Sequence, residues 1–292
     1  MFSEPPNHPT TNPPNMKLLV TGGSGYLGAR ILMRAPKTWK MAATYFAHPI
    51  AHGNAAAFRV DVRDAEAVHR VVAQFRPAVV IHTAAQMTGD QMPAVNVDGA
   101  RNVASAAARA GARLIHLSSD VIFDGEHAPY GERAAPHPIS PYADSKARAE
   151  RAVIDECPLA VIVRTSLIYG FDPLDPRTRQ TLDGAMPRLF TDEYRCPIFV
   201  ADLADALLEI AQTDFTGIIN VAGPQRLSRY AFGVALSNAF QRALRFAPAR
   251  SESFPAPRPR DCTLDISLAQ RILKTRLRGV DQVVADFQRI RE

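Results

Sequence analysis

Short apolar runs and amphipathic stretches take turns along most of this chain. Lys17-Leu-Leu-Val20 reads as a strand and Ala29 to Ala35 as a helix. Met41 to Phe46 and Phe58 to Asp61 read as two further strands, and Asp64 to Phe75 as a helix. Ala78-Val-Val-Ile-His82 is continuously apolar up to its last residue, the pattern of a strand covered on both faces in a parallel sheet. Asn96 to Ala110 is an alanine-rich helix, Leu114-Ile-His-Leu117 a strand, Ala143 to Val153 a helix, and Ala160-Val-Ile-Val163 a strand. This alternation predicts an α/β fold, a doubly wound parallel sheet.

The pattern weakens beyond Thr165. Residues 171 to 190 show no clear period and contain three prolines, which predicts a mobile loop over the cleft. Ala201 to Gln212 and Arg229 to Arg245 read as amphipathic helices around a short strand, Ile218 to Val221, and a last helical stretch follows Arg258-Pro-Arg260. No internal repeat is visible. The expected organisation is a loose Pro/Asn/Thr-rich extension over residues 1–15, then a nucleotide-binding unit over 16–165 whose core also takes in parts of 195–222. Residues 166–292 form mainly a smaller substrate-binding lobe.

Composition narrows the function classes. With 47% hydrophobic and 22% charged residues, the chain has the balance of a soluble globular protein. Its formal charge of +5 is spread over scattered arginines with no zinc-finger or base-stacking pattern, which argues against nucleic acid and for anionic small ligands. The three cysteines, Cys157, Cys196 and Cys262, lack metal spacing and suit a reducing compartment. No apolar run is long enough for a membrane span and no signal-peptide pattern is present, so a cytoplasmic location is expected.

Two constellations carry chemistry. The first strand runs into Thr21-Gly-Gly-Ser-Gly-Tyr-Leu-Gly28 and then into a helix, the context in which a glycine-rich turn cradles a dinucleotide pyrophosphate. Gly22 permits the tight turn, Gly25 lets backbone approach the phosphates, and Gly28 lets helix and strand pack closely, with Ser24, Tyr26 and Leu27 completing the loop. The second strand ends Tyr45-Phe46-Ala47-His48, without the carboxylate that would take an NAD ribose. A 2′-phosphate meets no repulsion there and His48 is placed to contact one, so NADP(H) is favoured over NAD(H). Asp61 is a candidate for the adenine amino group, and the small residues Thr83, Ala84 and Ala85 let a cofactor pass over the fourth strand.

The second constellation is built around Tyr142 and Lys146. Residues four apart share a helix face, and an ammonium held beside a phenol favours the phenolate. Between Met41 and Leu273, Lys146 is the only lysine in a chain that otherwise uses arginine, and an ammonium is the more tunable charge. Ser119 and Asp120 end the strand just before it. His69, His116, His127 and His137 follow no ligand spacing and read as structural or surface residues; no metal site is expected.

The glycine loop, Asn96, Ser119, Tyr142 and Lys146, in this order, resemble an extended short-chain dehydrogenase/reductase. Ser118-Ser-Asp-Val-Ile-Phe-Asp-Gly125, Pro129-Tyr-Gly-Glu132, Arg164-Thr-Ser166 and Arg258-Pro-Arg260 before Leu264-Asp265 are similar to the dTDP-4-dehydrorhamnose reductase-like branch. The resemblance implies a Rossmann fold and reduction of a keto group on a nucleotide sugar, with Ser119 bonding the carbonyl, Tyr142 moving its proton, Lys146 on the nicotinamide ribose and Asp120 beside them. It also implies Val62, Asn96 and Thr165 at the cofactor, and Val121, Phe123, Leu167, Arg258 and Arg260 at the substrate. Arg258, Arg260 and Arg188 are candidates for anchoring a diphosphate. Leu167 and Val121 stand where that branch carries aromatic residues, and the loop from Gln86 to Val95 is short, so a pocket of different shape is expected. The regulatory subunit of methionine adenosyltransferase is similar as well. It implies an alternative, an NADP-binding subunit of a partner enzyme, while an epimerase or dehydratase on the same scaffold is a third. A homodimer is compatible with all three.

Overall fold

The computed structural model describes residues 15–51 and 54–291, so the expected extension at the N-terminus falls, apart from Asn15, outside the described residues. Six strands and four helices build the first part of the sheet half: β1 (Lys17–Thr21), α1 (Tyr26–Arg34), β2 (Lys40–Tyr45), β3 (Ala56–Arg59), α2 (Ala65–Phe75), β4 (Val79–His82), α3 (Gly99–Arg109), β5 (Arg113–Ser119), α4 (Pro141–Glu156) and β6 (Val161–Thr165). The chain then runs through β7 (Ile168–Tyr169), α5 (Pro176–Asp183), β8 (Arg188–Phe190), β9 (Tyr194–Arg195) and β10 (Ile198–Phe199). It returns to the sheet with α6 (Val200–Ile210) and β11 (Gly217–Asn220). β12 (Leu227–Ser228), α7 (Arg229–Ala239), β13 (Ala247–Ala249), α8 (Ser267–Ile272) and α9 (Val280–Arg291) complete the described chain.

The seven-stranded sheet is parallel throughout, in the order β11-β6-β5-β4-β1-β2-β3, a Rossmann-type doubly wound topology. The order reverses between β1 and β4, so the crevice at their carboxyl ends is the place for a ligand. Strand alternation gives each face its own core. Leu18, Val20, Ile81, Ile115 and Val163 meet α1 and α6, while Leu19, Val80, Leu114 and Ile162 meet the helices α2, α3 and α4. Burying each such side chain contributes roughly 1.5–3 kcal/mol.

Three sequence expectations are corrected. Residues 171–190 are not a structureless loop: Asp175 caps α5 by accepting from the backbone N–H groups of Arg177 and Thr178, Pro176 occupies the first helical turn, and Gly184 closes it at φ 80°. The preceding stretch is tied to α1, since the Tyr26 hydroxyl donates to the Pro173 carbonyl and the Arg30 guanidinium to the Asp172 carbonyl. The helix expected over Arg229–Arg245 stops at Ala239, because Gln241 takes a left-handed φ of 52°. Asn96 does not open a regular helix but sits in a π-helical turn, Ala94–Asp98, that leads into α3.

The second half has its own cluster, in which Tyr169, Phe171, Phe199, Phe232, Phe240 and Phe287 pack as tilted and edge-on rings between α7 and α9. Among the described residues no helix is long and apolar enough to cross a membrane.

Candidate active site

The glycine loop joins β1, β4 and α1 with almost no space between them. Gly22 holds φ at +72°, and a Cβ on it would stand 2.8 Å from the backbone of Ala84. A Cβ on Gly28 would stand 2.3 Å from the Gly22 carbonyl oxygen, so only glycine lets α1 approach this closely. The Thr83 hydroxyl and backbone N–H both donate to the Thr21 carbonyl, and the Thr21 hydroxyl meets His82 Nδ1 at 2.5 Å, fixing the strand ends beneath the loop. α1 begins at Tyr26 with no acidic residue in its first turn and no side-chain cap, and Ser24 and Gly25 stand exposed before it. Free N–H groups and the positive helix end make this a fit for the pyrophosphate of a dinucleotide.

Around that loop the expected contacts sort themselves. His48 is exposed past the end of β2, and Ala84 and Ala85 lie at the crevice beyond β4. Arg59, which sequence reasoning did not single out, reaches back from β3 to donate to the Phe46 carbonyl at 3.4 Å, placing a cation beside the end of β2. Asp61 is held by Arg63, which forks onto both carboxylate oxygens and keeps the Asp61 pKa below its ordinary value. The Val62 carbonyl accepts from Asn102. Asn96 is a strut: its amide donates to the Gln86 carbonyl and to the Ser145 hydroxyl on α4, and its oxygen accepts from the Gln86 N–H. The Thr165 hydroxyl donates to the Val221 carbonyl and ties β6 to the turn after β11.

At the end of β5 the catalytic candidates come together. Ser140 caps α4 with Pro141 in its first turn, so Tyr142 and Lys146 lie one turn apart on the face toward the sheet. Lys146, 4% exposed, donates from Nζ to the Leu117 carbonyl at 2.6 Å, two residues before Ser119. Burial draws its pKa down to about 8, with Glu150 opposing. The Ser119 hydroxyl donates to Asp120 Oδ1 at 3.3 Å, the Ser166 hydroxyl donates to Oδ2 at 2.6 Å, and Arg195 Nε lies 3.8 Å from Oδ2. Burial raises the Asp120 pKa, with Arg195 opposing. The expectation that Lys146 favours the phenolate is reversed here. Burial and the Asp120 carboxylate push the Tyr142 phenol up to about 12, against an opposing effect of Arg177. The Lys146 ammonium is turned to the strand carbonyl instead.

The substrate candidates divide. Phe123 is 0% exposed, stacked on Tyr130 with ring centroids 4.1 Å apart and covered by the Arg164 guanidinium; it is a core residue and not a substrate contact. Around it the motif residues form a buried frame. Arg164 pairs with Glu150 and donates to the Glu132 carbonyl, and the Tyr130 hydroxyl donates to Asp124 and accepts from Gly125 and His127. Val121 and Leu167 are half-buried, Leu167 against the aromatic cluster. Arg258 is paired with Glu193 and lies over the Phe190 ring, Arg188 lies over Phe254, and Arg260 is exposed.

Sequence reading missed Arg177, Glu193, Arg195 and Arg229, which converge with Arg258 on the lobe side of Tyr142 and Asp120. The Asp175-Pro176 pair, a helix N-cap followed by proline, was the signal that would have placed Arg177 on a helix. Arg229 had none.

The RmlD substrate binding domain matches this chain over residues 16–290. A dTDP-4-dehydrorhamnose reductase of Mycobacterium tuberculosis is 31% identical over 274 residues, covering 87% of this chain and 86% of its own. Methionine adenosyltransferase 2 subunit beta of Bos taurus is 27% identical over 286 residues, covering 88% and 82%. The crystal structure of a dTDP-4-dehydrorhamnose reductase from Bacillus anthracis in complex with NADP superposes with a TM-score of 0.81 over 95% of this chain and 100% of its own. At 24% identity, that likeness speaks for the fold.

Proposed function

The chain belongs to the RmlD substrate binding domain family, and we propose on that premise that it is an NAD(P)H-dependent reductase of a keto group on a nucleotide sugar. The observation that carries this reading is the convergence at the end of β5. Lys146 is buried on the Leu117 carbonyl, Tyr142 lies one turn before it, and Ser119 and Asp120 stand beside them. The loop from Gly22 to Gly28 would hold the dinucleotide phosphates, and the reduced nicotinamide, when bound, supplies the hydride.

Negative charge develops on the substrate oxygen as the carbonyl is reduced, and hydroxyl donors aimed at that oxygen lower the barrier. Ser119 is the donor that orients the carbonyl. Tyr142, whose phenol burial and the Asp120 carboxylate keep protonated, gives the proton. Lys146, anchored on the Leu117 carbonyl one turn further along α4, would hold the nicotinamide ribose. Asp120, fixed by Ser166 and near Arg195, keeps Ser119 oriented. Tyr142→Phe is expected to lower the rate of NADPH oxidation with dTDP-4-keto sugars by orders of magnitude while cofactor binding stays close to wild type. Equal rates for the two proteins would remove the catalytic role.

For the cofactor, Arg59 and His48 beside the end of β2 favour NADP(H) over NAD(H). Thermal stabilisation by NADP greater than by NAD, lost in Arg59→Ala, is the expected result. The three buried free cysteines support a cytoplasmic, reducing setting.

A second reading, a cofactor-binding subunit of a partner enzyme with little catalysis of its own, is favoured by the relatives whose name is that of a subunit. Tight NADP binding without turnover, together with co-purification of a partner enzyme, would select it.

A further inference from the structure

Two arginines near Tyr142 are placed where a lone protein would not put them. Arg177 lies in the first turn of α5 and Arg229 is the first residue of α7, helix ends that already carry positive partial charge, and neither helix has an acidic residue in its first turn. Arg229 is 6% exposed, and Arg177 is half-buried. Among the described residues neither guanidinium has a hydrogen-bond or ion-pair partner, although buried arginines are normally paired.

The neighbouring charges do not cancel them. Glu193 is buried, but its carboxylate is held by Arg258. Arg195 donates to the Tyr194 and Pro259 carbonyls and lies 3.8 Å from Asp120, itself held by Ser119 and Ser166. The Asp175 oxygens accept from backbone N–H groups of Arg177, Thr178 and Gly170. Burial first, then Arg177 and Arg195, draw the Arg229 pKa down to about 9, and burial with Arg258 and Arg195 lowers that of Arg177. Two cations on packed helices are thus left to repel one another on the lobe side of the site, each with donors to offer.

We infer that Arg177 and Arg229, at the N-terminal ends of the packed helices α5 and α7, clamp a phosphate-class dianion, the diphosphate of the substrate, on the lobe side of Tyr142. The inference rests on the nucleotide-sugar reading and adds to it. It moves the anchoring charge from Arg258 and Arg260 to a pair that the protein leaves unmatched. Guanidinium forks and helix N-termini are matched to phosphate oxygens, and a dianion removes the repulsion between the two cations.

The test uses the full chain with NADP bound and follows thermal stability and calorimetric binding with inorganic pyrophosphate and with dTDP as probes. Both probes are expected to stabilise the wild-type protein. Arg229→Met and the half-buried, structurally safer Arg177→Gln are each expected to weaken dTDP binding by at least about ten-fold, the loss of a charge-assisted contact. Without probe, Arg229→Met is expected to melt at or above the wild-type temperature, because an unmatched charge has been removed. Wild-type dTDP affinity in both variants, or no stabilisation of the wild type by either probe, overturns the clamp. Keto-sugar reduction is read separately. Turnover with an unchanged KM in both variants overturns the clamp and leaves the reductase reading standing. Probe binding lost in the variants, with no keto sugar reduced by the wild type, supports the clamp and counts against the reductase.

Discussion

His116 is 1% exposed with neither ring nitrogen hydrogen-bonded, and its ring lies 5.1 Å from that of His82 on the neighbouring strand, close to Lys146. Burial, then the Lys146 charge, holds both imidazoles neutral: His82 is drawn down to about 3, and His116 well below its ordinary value. Above the unfolded histidine pKa of about 6.5 both states are neutral and stability does not change on their account. Below it the unfolded chain takes up protons that the folded one refuses, so stability is lost progressively as pH falls from about 6.5 toward the folded pKa. The urea midpoint is expected to drop between pH 7 and pH 5, and His116→Leu is expected to drop less while matching or exceeding wild type at pH 7. Parallel slopes for the two proteins would show that His116 stays out of the linkage. Residues such as Lys146 and Tyr142 were legible in the sequence because their spacing is a geometric statement about a helix. The direction of the Tyr142 pKa was not legible, since it depends first on the burial of the phenol and then on Asp120 arriving from another element. Phe123 misled for a similar reason: its place next to Asp120 in sequence says nothing about the Tyr130 and Arg164 side chains that enclose it.

At the level of elements, strands buried on both faces announce themselves as continuous apolar runs, and the observed strands of the main sheet fall within a residue or two of their sequence positions. α5 escaped because eight residues leave little room for a period, and it buries chiefly Thr178, Thr181 and Leu182. Its stability leans on the cap. Asp175→Ala removes the acceptor for two helix N–H groups and for Gly170, so a loss of about 1–2 kcal/mol is expected from chemical denaturation, together with weaker dTDP binding as Arg177 loses its support. A destabilised variant with wild-type dTDP affinity would separate the cap from the anion site. α1 offers the opposite case, where a rule for a loop is a rule for packing. Gly28→Ala forces α1 away from the Gly22 carbonyl and is expected to lower NADP affinity more than it lowers melting temperature.

The sheet half is completed by chain that comes late. β11 is the seventh strand, α6 lies on α1, and Leu264, Ile266, Ala269, Leu273 and Leu277 belong to the same buried cluster as Leu18 and Ile115. β6 ends at Thr165, where the strand-helix alternation of the sequence also weakens, and α6 and β11 return to the sheet from later in the chain. The contribution of residues 264–277 was not visible, because periodicity shows that a segment has an apolar face and not which layer it covers. We expect a fragment of residues 15–165 to lack a cooperative thermal transition and to bind no NADP, because one face of its sheet would stand open where Leu203, Leu207, Ile219 and Leu273 belong. The full chain is expected to unfold with a single transition shared by near-UV dichroism and NADP release. A cooperative, NADP-binding 15–165 fragment would instead mean that β1 to β6 suffice. The lobe carrying Arg177, Arg229 and Arg258 would then be an addition to a self-standing cofactor domain, and not part of the body that holds it.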